Sequence, residues 1–401
     1  MNLHIQRLAF IASCVALTVT AMTFAVRAGI LSNLNETLQL SDGQLGWVNA
    51  TAFFGFPLAT IVGGAFYEKL GARRLLIIAF FGHVVGLLLT ATATGFLSLL
   101  LATFLIGLAN GAVEAGCNPL ITSLFPSNKT TMLNRFHVWF PAGIVVGSLL
   151  CLSMEELSIG WRTQVALLLV PTSIYGIFLV LLPKNVGKTS EQPLHHASAY
   201  RAMLSPMYLF ALLCMTLTAS TELLTQQWIE RILTDTGASA MAILALITGT
   251  MAVGRYFAGP LVKTLNPIGV LLLSACFAYM GLTFMRFADG SQVYYAAIIF
   301  ALGVTYFWPT MLGFVAETLP STRALGLGGM GAAGMLAVGI WNPIIGAFIE
   351  AKNKSSSSSV AETLEVLSYF PLCLIVAFGG VFLIRFVVSK RATQKEVIND
   401  A

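Results

Sequence analysis

The chain has 401 residues, 57% of them hydrophobic and 10% charged, with a mean hydropathy of +0.83. A water-soluble domain carries about 25% charged residues, so this composition excludes one, and most of the surface must face lipid. The formal charge of +5 is spread over short polar connections, which excludes a nucleic-acid footprint and reads as loop asymmetry.

A membrane-crossing helix needs about 20 mostly apolar residues. The sequence predicts twelve: 8–33, 43–67, 73–95, 97–125, 133–154, 161–183, 205–232, 239–264, 267–287, 291–318, 324–349 and 364–389. The first run has only Arg7 before it and is long for a signal peptide, so it reads as a span. Two connections are longer than the rest. Residues 184–204 are polar and divide the chain into six-span halves, 1–183 and 205–401. Residues 350–363 hold the Ser355–Ser359 run and read as flexible.

The placement of Lys and Arg predicts orientation. With the N-terminus in the cytoplasm, Arg7, Lys69, Arg73, Arg74, Lys129, Arg135, Lys184, Lys188, Arg201, Lys263, Arg323, Lys390, Arg391 and Lys395 lie inside. Arg162, Arg231, Arg286, Lys352 and Lys354 lie outside. Fourteen against five puts both termini in the cytoplasm. The short loops suggest a bacterial inner membrane. All six cysteines sit in apolar runs without C-x-x-C spacing and read as small hydrophobes, not a metal site.

The halves echo each other. The fourth span ends Leu124-Phe125-Pro126-Ser127 and the tenth Thr318-Leu319-Pro320-Ser321. The fifth carries Ala142-Gly143 and Gly147, the eleventh Ala333-Gly334 and Gly339. Duplicated transporter folds show such weak internal similarity.

Ionisable groups inside a membrane are costly and functional by default. In the fourth span Asn110, Glu114, Asn118 and Thr122 recur every four residues, along one drifting stripe of a helix. Glu114 lies ~18 Å from the Pro126 end at 1.5 Å per residue, near the bilayer centre. There it needs water, a partner or a proton. Arg27, past the middle of the first span with Thr20 and Thr23 on its side, is the partner candidate. It can pair with Glu114 directly, through water or through an anionic substrate, or snorkel to the interface. The seventh span repeats the theme with Thr218, Glu222 and Gln226, followed by Gln227 and Trp228; Glu222 could equally hold a structural pair. The tenth offers Tyr306, Trp308 and Thr310, the eleventh Trp341 and Asn342. Aromatic faces with amides and carboxylates suit a sugar, although each aromatic alone also fits ordinary packing or an interfacial belt.

Between the second and third spans stands Gly64-Ala65-Phe66-Tyr67-Glu68-Lys69-Leu70-Gly71-Ala72-Arg73-Arg74. Gly64 permits close helix contact and Gly71 a tight turn. Glu68 can pair with a cation or a helix N-terminus nearby and so latch one state. This segment resembles the signature of the major facilitator superfamily. The resemblance implies an all-α membrane protein of major-facilitator type, with twelve transmembrane helices in two pseudo-symmetric six-helix bundles around a cavity lined by the first, fourth, seventh and tenth. The second-half counterpart, Gly254-Arg255 through Lys263, lacks the acidic residue and reads as a degenerate copy.

A narrower resemblance follows. Glu114 through Asn118-Pro119, with Leu133-Asn134, His137, Phe140, Gly143 and Gly147, resembles the fucose/glucose-type sugar:proton symporter family. The likeness implies that Glu114 touches sugar or proton. Two departures stand out: Pro141 replaces the usual glycine, and Arg27-Ala28 occupies the region where these symporters carry an acidic proton carrier. His137 reads as bracing the cytoplasmic end of the fifth span, and His83 as a packing residue.

No G-x-x-x-x-G-K-[ST] run supports ATP drive. Five scattered histidines do not make an enzyme constellation, and the short loops do not suit a receptor. The sequence therefore predicts a secondary transporter of a small polar solute, a sugar or sugar derivative, with proton coupling through Glu114. The competing readings are an organic-anion transporter using Arg27 and a facilitative uniporter. A monomer in the lipid bilayer, with no cofactor and no metal, is expected.

Overall fold

A computed structural model describes residues 3–40, 42–184, 186, 196–233, 240–354 and 359–399. Among these residues the chain is helical, with no strand. In chain order the helices are α1 (Leu3–Gly29), α2 (Leu31–Leu38), α3 (Asp42–Ala91), α4 (Phe96–Leu124), α5 (Lys129–Phe136), α6 (Trp139–Glu156), α7 (Trp161–Leu167) and α8 (Leu169–Leu181). They continue as α9 (His196–Met203), α10 (Pro206–Leu233), α11 (Ala240–Tyr256), α12 (Ala258–Met285), α13 (Gln292–Val304), α14 (Phe307–Thr318), α15 (Arg323–Lys354) and α16 (Ser359–Asn399). Among the described residues, ten helical segments are long and apolar enough to cross a membrane.

Several predicted spans meet the structure differently. The second and third form one continuous helical segment, α3, with a single non-helical residue, Gly71 at φ 74° and ψ 163°. That conformation is essentially glycine-only, so one residue makes the whole turn. Asn266 (φ 54°) makes the corresponding turn inside α12, where its side-chain Oδ1 accepts from the N–H groups of Ile268 and Gly269. The fifth span is broken at His137-Val138 and the tenth at Thr305-Tyr306. A proline four residues after a carbonyl removes the donor that the carbonyl would use. Pro141 does this to His137 and Pro309 to Thr305.

The polar connection 184–204 contains a helix, α9, while most of its remainder lies outside the described residues. Of the serine run expected to be flexible, Ser355–Ser358 also lie outside them, and α15 and α16 extend to Lys354 and from Ser359, beyond the predicted spans. The six cysteines are all free thiols; four are buried, Cys276 is intermediate, and Cys373 is exposed.

Small residues bring the helices into contact. A methyl group built on Gly107 would sit 2.3 Å from the Ala52 carbonyl oxygen, tying α4 to α3. One on Gly328 would sit 2.3 Å from the Thr60 oxygen, tying α15 to α3 across the two halves of the chain. One on Gly313 would meet Thr130 Oγ1 at 2.3 Å, joining α14 to α5. These contacts leave the centre tightly packed.

Gly71→Ala should lower stability by about 1–3 kcal/mol, the cost of a strained backbone. Thermal unfolding of the purified protein in detergent will read it as a lower Tm.

Candidate functional site

The polar centre starts on α4. Glu114 and Asn118 are one turn apart, and the Asn118 amide donates to Glu114 Oε2. His137, at the break between α5 and α6, sits against both: its Nε2 is 3.8 Å from Glu114 Oε2 and 3.2 Å from Asn118 Oδ1. Glu114 is 5% exposed and His137 2%. His137 therefore does more than brace a helix end, because the break at Pro141 turns it towards the one carboxylate on α4.

The chain of contacts then crosses into the second half. Arg255, on the last turn of α11, is 1% exposed. Its Nη1 donates to the His137 carbonyl at 3.1 Å, its Nε to the Thr305 carbonyl at 2.6 Å, and its Nη2 to Glu222 Oε1 at 2.9 Å. Glu222 on α10 is 3% exposed and is paired, as one sequence expectation had it. Gly254 makes this possible: Tyr306 Oη donates to its carbonyl at 3.0 Å, and a methyl there would meet Thr305 Cγ2 at 2.7 Å. The degenerate second-half copy of the α3 motif, Gly254-Arg255 through Lys263, contributes its arginine to this centre. Arg255 is a core residue, and α11 and the start of α12 carry the chain on beyond it.

Arg27 does not meet Glu114 as a hydrogen-bond partner. Its Nε donates to Asn49 Oδ1 at 2.7 Å, and its guanidinium lies 4.9 Å from the Phe24 ring centre and 5.9 Å from that of Phe53. It is 8% exposed, so it does not snorkel, and its Nη1 has no hydrogen-bond partner among the described residues. A cavity of about 20 Å³ adjoins it, bounded by Thr23, Thr90 and Thr103 among others. That holds about one water-sized group.

The other expected site residues are distributed. Asn110 is bound by His83 Nε2 at 2.8 Å and donates to Thr23 Oγ1 at 3.1 Å. His83 also contacts Tyr175 Oη at 2.9 Å, a satisfied packing residue as read. Asn134 donates to Thr310 Oγ1 at 3.1 Å, bridging α5 and α14. Trp308 packs edge-on to Phe56 at 6.5 Å, and a methyl on Gly334 would meet its ring at 2.8 Å. Gln226 donates to Met251 Sδ at 3.3 Å. Asn342 accepts from Trp228 Nε1 at 3.0 Å and donates to Gln227 Oε1 at 2.5 Å, while Trp341 packs on Phe370. Some buried polar atoms have no partner among the described residues: Thr20 Oγ1, Asn134 Oδ1, Ser220 Oγ, Glu222 Oε2 and Trp308 Nε1.

The α3 motif lies at the membrane face that carries the start of α1, where Gln6 donates to the Leu124 carbonyl at the end of α4. Glu68 pairs with Arg323, the first residue of α15, at 3.0 Å. Arg73 donates to the Leu179 carbonyl at 2.9 Å, Arg74 to the Lys69 carbonyl at 3.5 Å, and Lys69 lies over Phe66. A methyl on Gly64 would sit 2.9 Å from the Ala324 oxygen. A second cross-half tie, not expected from the sequence, lies alongside. Glu317 Oε1 accepts from Thr130 Oγ1 at 2.6 Å and from the Thr130 N–H at 3.1 Å, an acid on the first turn of α5. Lys129 Nζ donates to the Ala316 carbonyl at 3.0 Å.

A polytopic membrane protein, helical throughout its described residues and with charged groups buried between its halves, has the architecture of a solute carrier. The Major Facilitator Superfamily profile matches residues 9–342, and the chain belongs to that family of transporters. It is 24% identical to a D-xylose transporter of Levilactobacillus brevis over 41% of this chain and 37% of that protein. It is also 24% identical to a hexuronate transporter of Bacillus subtilis, over 43% of this chain and 40% of that one. The chain thus spans about two fifths of the length of these relatives. The crystal structure of the fucose:proton symporter of Escherichia coli superposes with a TM-score of 0.69 at 17% identity, covering 92% of this chain and 98% of that one.

Glu222→Ala strands the Arg255 charge in the core and should cost about 3–5 kcal/mol, whereas replacing both residues with apolar ones should recover only part of the loss, because the His137 and Thr305 carbonyls then lose the Arg255 donor. Thermal unfolding of the single and paired variants will measure both.

Proposed function

We propose that this protein is a secondary active transporter of a sugar or sugar derivative, coupled to protons through Glu114. The observation that carries this reading is Glu114 itself: a carboxylate buried in the membrane core, bonded by Asn118 and 3.8 Å from His137, with His137 joined to Arg255 of the other half. A carboxylate in that setting can exchange a proton when water reaches it and the halves part, and so link proton movement to conformation. Buried polar atoms without a partner among the described residues on α1, α10 and α14, Thr20 Oγ1, Glu222 Oε2 and Trp308 Nε1 among them, suit the hydroxyls of a sugar. The named xylose and fucose transporters support the same substrate class.

The transport cycle is alternating access. Dividing α3 at Gly71 and adding the shorter apolar helix Ala242–Tyr256 to the ten apolar spans gives twelve crossings. They form bundles from residues 1–183 and 205–401, joined by 184–204. Glu68–Arg323 and Glu317–Thr130 hold one face shut, and both break when that face opens. By the Lys/Arg asymmetry this face and both termini are cytoplasmic, in a bacterial inner membrane, and the protein works as a monomer in the bilayer.

Arg27 favours a second reading, in which the solute carries a carboxylate. Its guanidinium has no acidic partner among the described residues and one unbonded nitrogen, and a hexuronate transporter is among the relatives. The small cavity beside it holds no solute as it stands, so binding there needs the helices to move apart.

Reconstituted into proteoliposomes, Glu114→Gln should abolish accumulation against a gradient while solute exchange persists. A variant that still concentrates solute would show that Glu114 does not couple. Arg27→Gln should weaken the affinity for a sugar acid by about tenfold or more, the value of a charge-assisted bond, and leave a neutral sugar unaffected. Equal effects on both would remove the carboxylate reading.

A further inference from the structure

Arg255 makes three hydrogen bonds, and two of them go to carbonyls of the same unusual kind. His137 lies four residues before Pro141 and Thr305 four residues before Pro309. In an uninterrupted helix each carbonyl would accept from the N–H four residues on, and proline has none. The freed His137 oxygen has one other bond, a long 3.4 Å contact from the Phe140 N–H. One fully buried guanidinium therefore serves two helix breaks, one in each half of the chain.

Its arms are not equivalent. Nε on Thr305 and Nη2 on Glu222 stay within the second half, fixing the guanidinium between α10 and the α13–α14 break. Nη1 on His137 is the arm that reaches the first half. Two bonds orient the group, and the third spans the seam between the halves at the depth of the buried carboxylates.

We propose that Arg255 is a positioning residue that clamps the halves together in the closed arrangement, and that Pro141 exists to keep the His137 carbonyl free for it. A buried carbonyl without a donor is costly. While the halves are together, Arg255 supplies the donor. When helices α5 and α11 separate, water entering the cleft supplies it instead. The clamp thus holds the closed state with the long Phe140 N–H contact as the competitor for the same oxygen among the described residues. The inference rests on the alternating-access reading above, but it concerns only which residue holds the closed state.

The test is a distance between the halves at the face carrying Glu68 and Arg323. Spin labels go on Arg74→Cys and Lys263→Cys, both exposed, with Cys276 and Cys373 changed to Ser. Arg255→Lys keeps the charge beside Glu222 but cannot serve three acceptors in the same fork. It should raise the ratio of long to short separations about tenfold, the value of one charge-assisted bond. Pro141→Ala returns an N–H to the His137 carbonyl and should shift the ratio in the same direction. Pro309→Ala loosens one of the two orienting bonds but leaves the His137 carbonyl free, and should shift the ratio less than Pro141→Ala. Wild-type separations in both Arg255→Lys and Pro141→Ala overturn the clamp, as does an equal shift in Pro309→Ala. Uptake by proteoliposomes is scored separately: lengthened separations without uptake of any sugar or sugar acid support the clamp and sink the transport reading.

Discussion

A charge in hydrocarbon persists only where something answers it, and this constraint organises the protein from the centre outward. Four ionisable side chains, Glu114, His137, Arg255 and Glu222, lie almost fully buried where the halves of the chain meet. None is left alone. Asn118 and His137 attend Glu114, Glu222 answers Arg255, and the arginine reaches His137 through its backbone oxygen. The helix breaks are part of the same economy, since an unbroken α5–α6 or α13–α14 would offer the guanidinium no free carbonyl.

The surrounding structure places these groups and closes one end over them. Glycines in α3, α4, α14 and α15 let backbones approach until side chains on different helices share the seam. At the face with the α1 start, two acids reach across it, Glu68 to Arg323 and Glu317 to the first turn of α5. The Glu68–Arg323 pair is partly exposed and so contributes little to overall stability. Its value is directional: it favours one arrangement of the halves over another, and a small free-energy difference is enough to bias such an equilibrium.

How much of this was legible depended on how distinctive each residue is in its own span. Glu114 stood out as a lone acid in a long apolar run, and Asn118 one turn later followed from helical spacing. Glu68 and Gly71 were readable because a charged turn between two apolar runs has a recognisable pattern. The partner of Arg27 was not readable: Asn49 is an ordinary amide on another span, and only packing brings it within 2.7 Å. Arg255 was passed over because it stood in a segment read as a degenerate copy of the α3 motif, nine residues before the end of its predicted span. Its burial follows from packing: the side chain is enclosed by His137, Glu222 and Thr305 on other helices and breaks. The sequence held a usable signal in Pro141 and Pro309, which name the two carbonyls that need an outside donor, but a free carbonyl does not say which donor fills it.

Through His137 the buried charges of the two halves are joined in one unit. A thermodynamic cycle between Glu114→Gln in the first half and Arg255→Lys in the second, read by thermal unfolding of the purified protein, tests it most directly. A joined unit should show an interaction energy of about 0.5 kcal/mol or more, as for residues in one network. Simple additivity of the two losses would mean that the halves keep separate charges, and would contradict it.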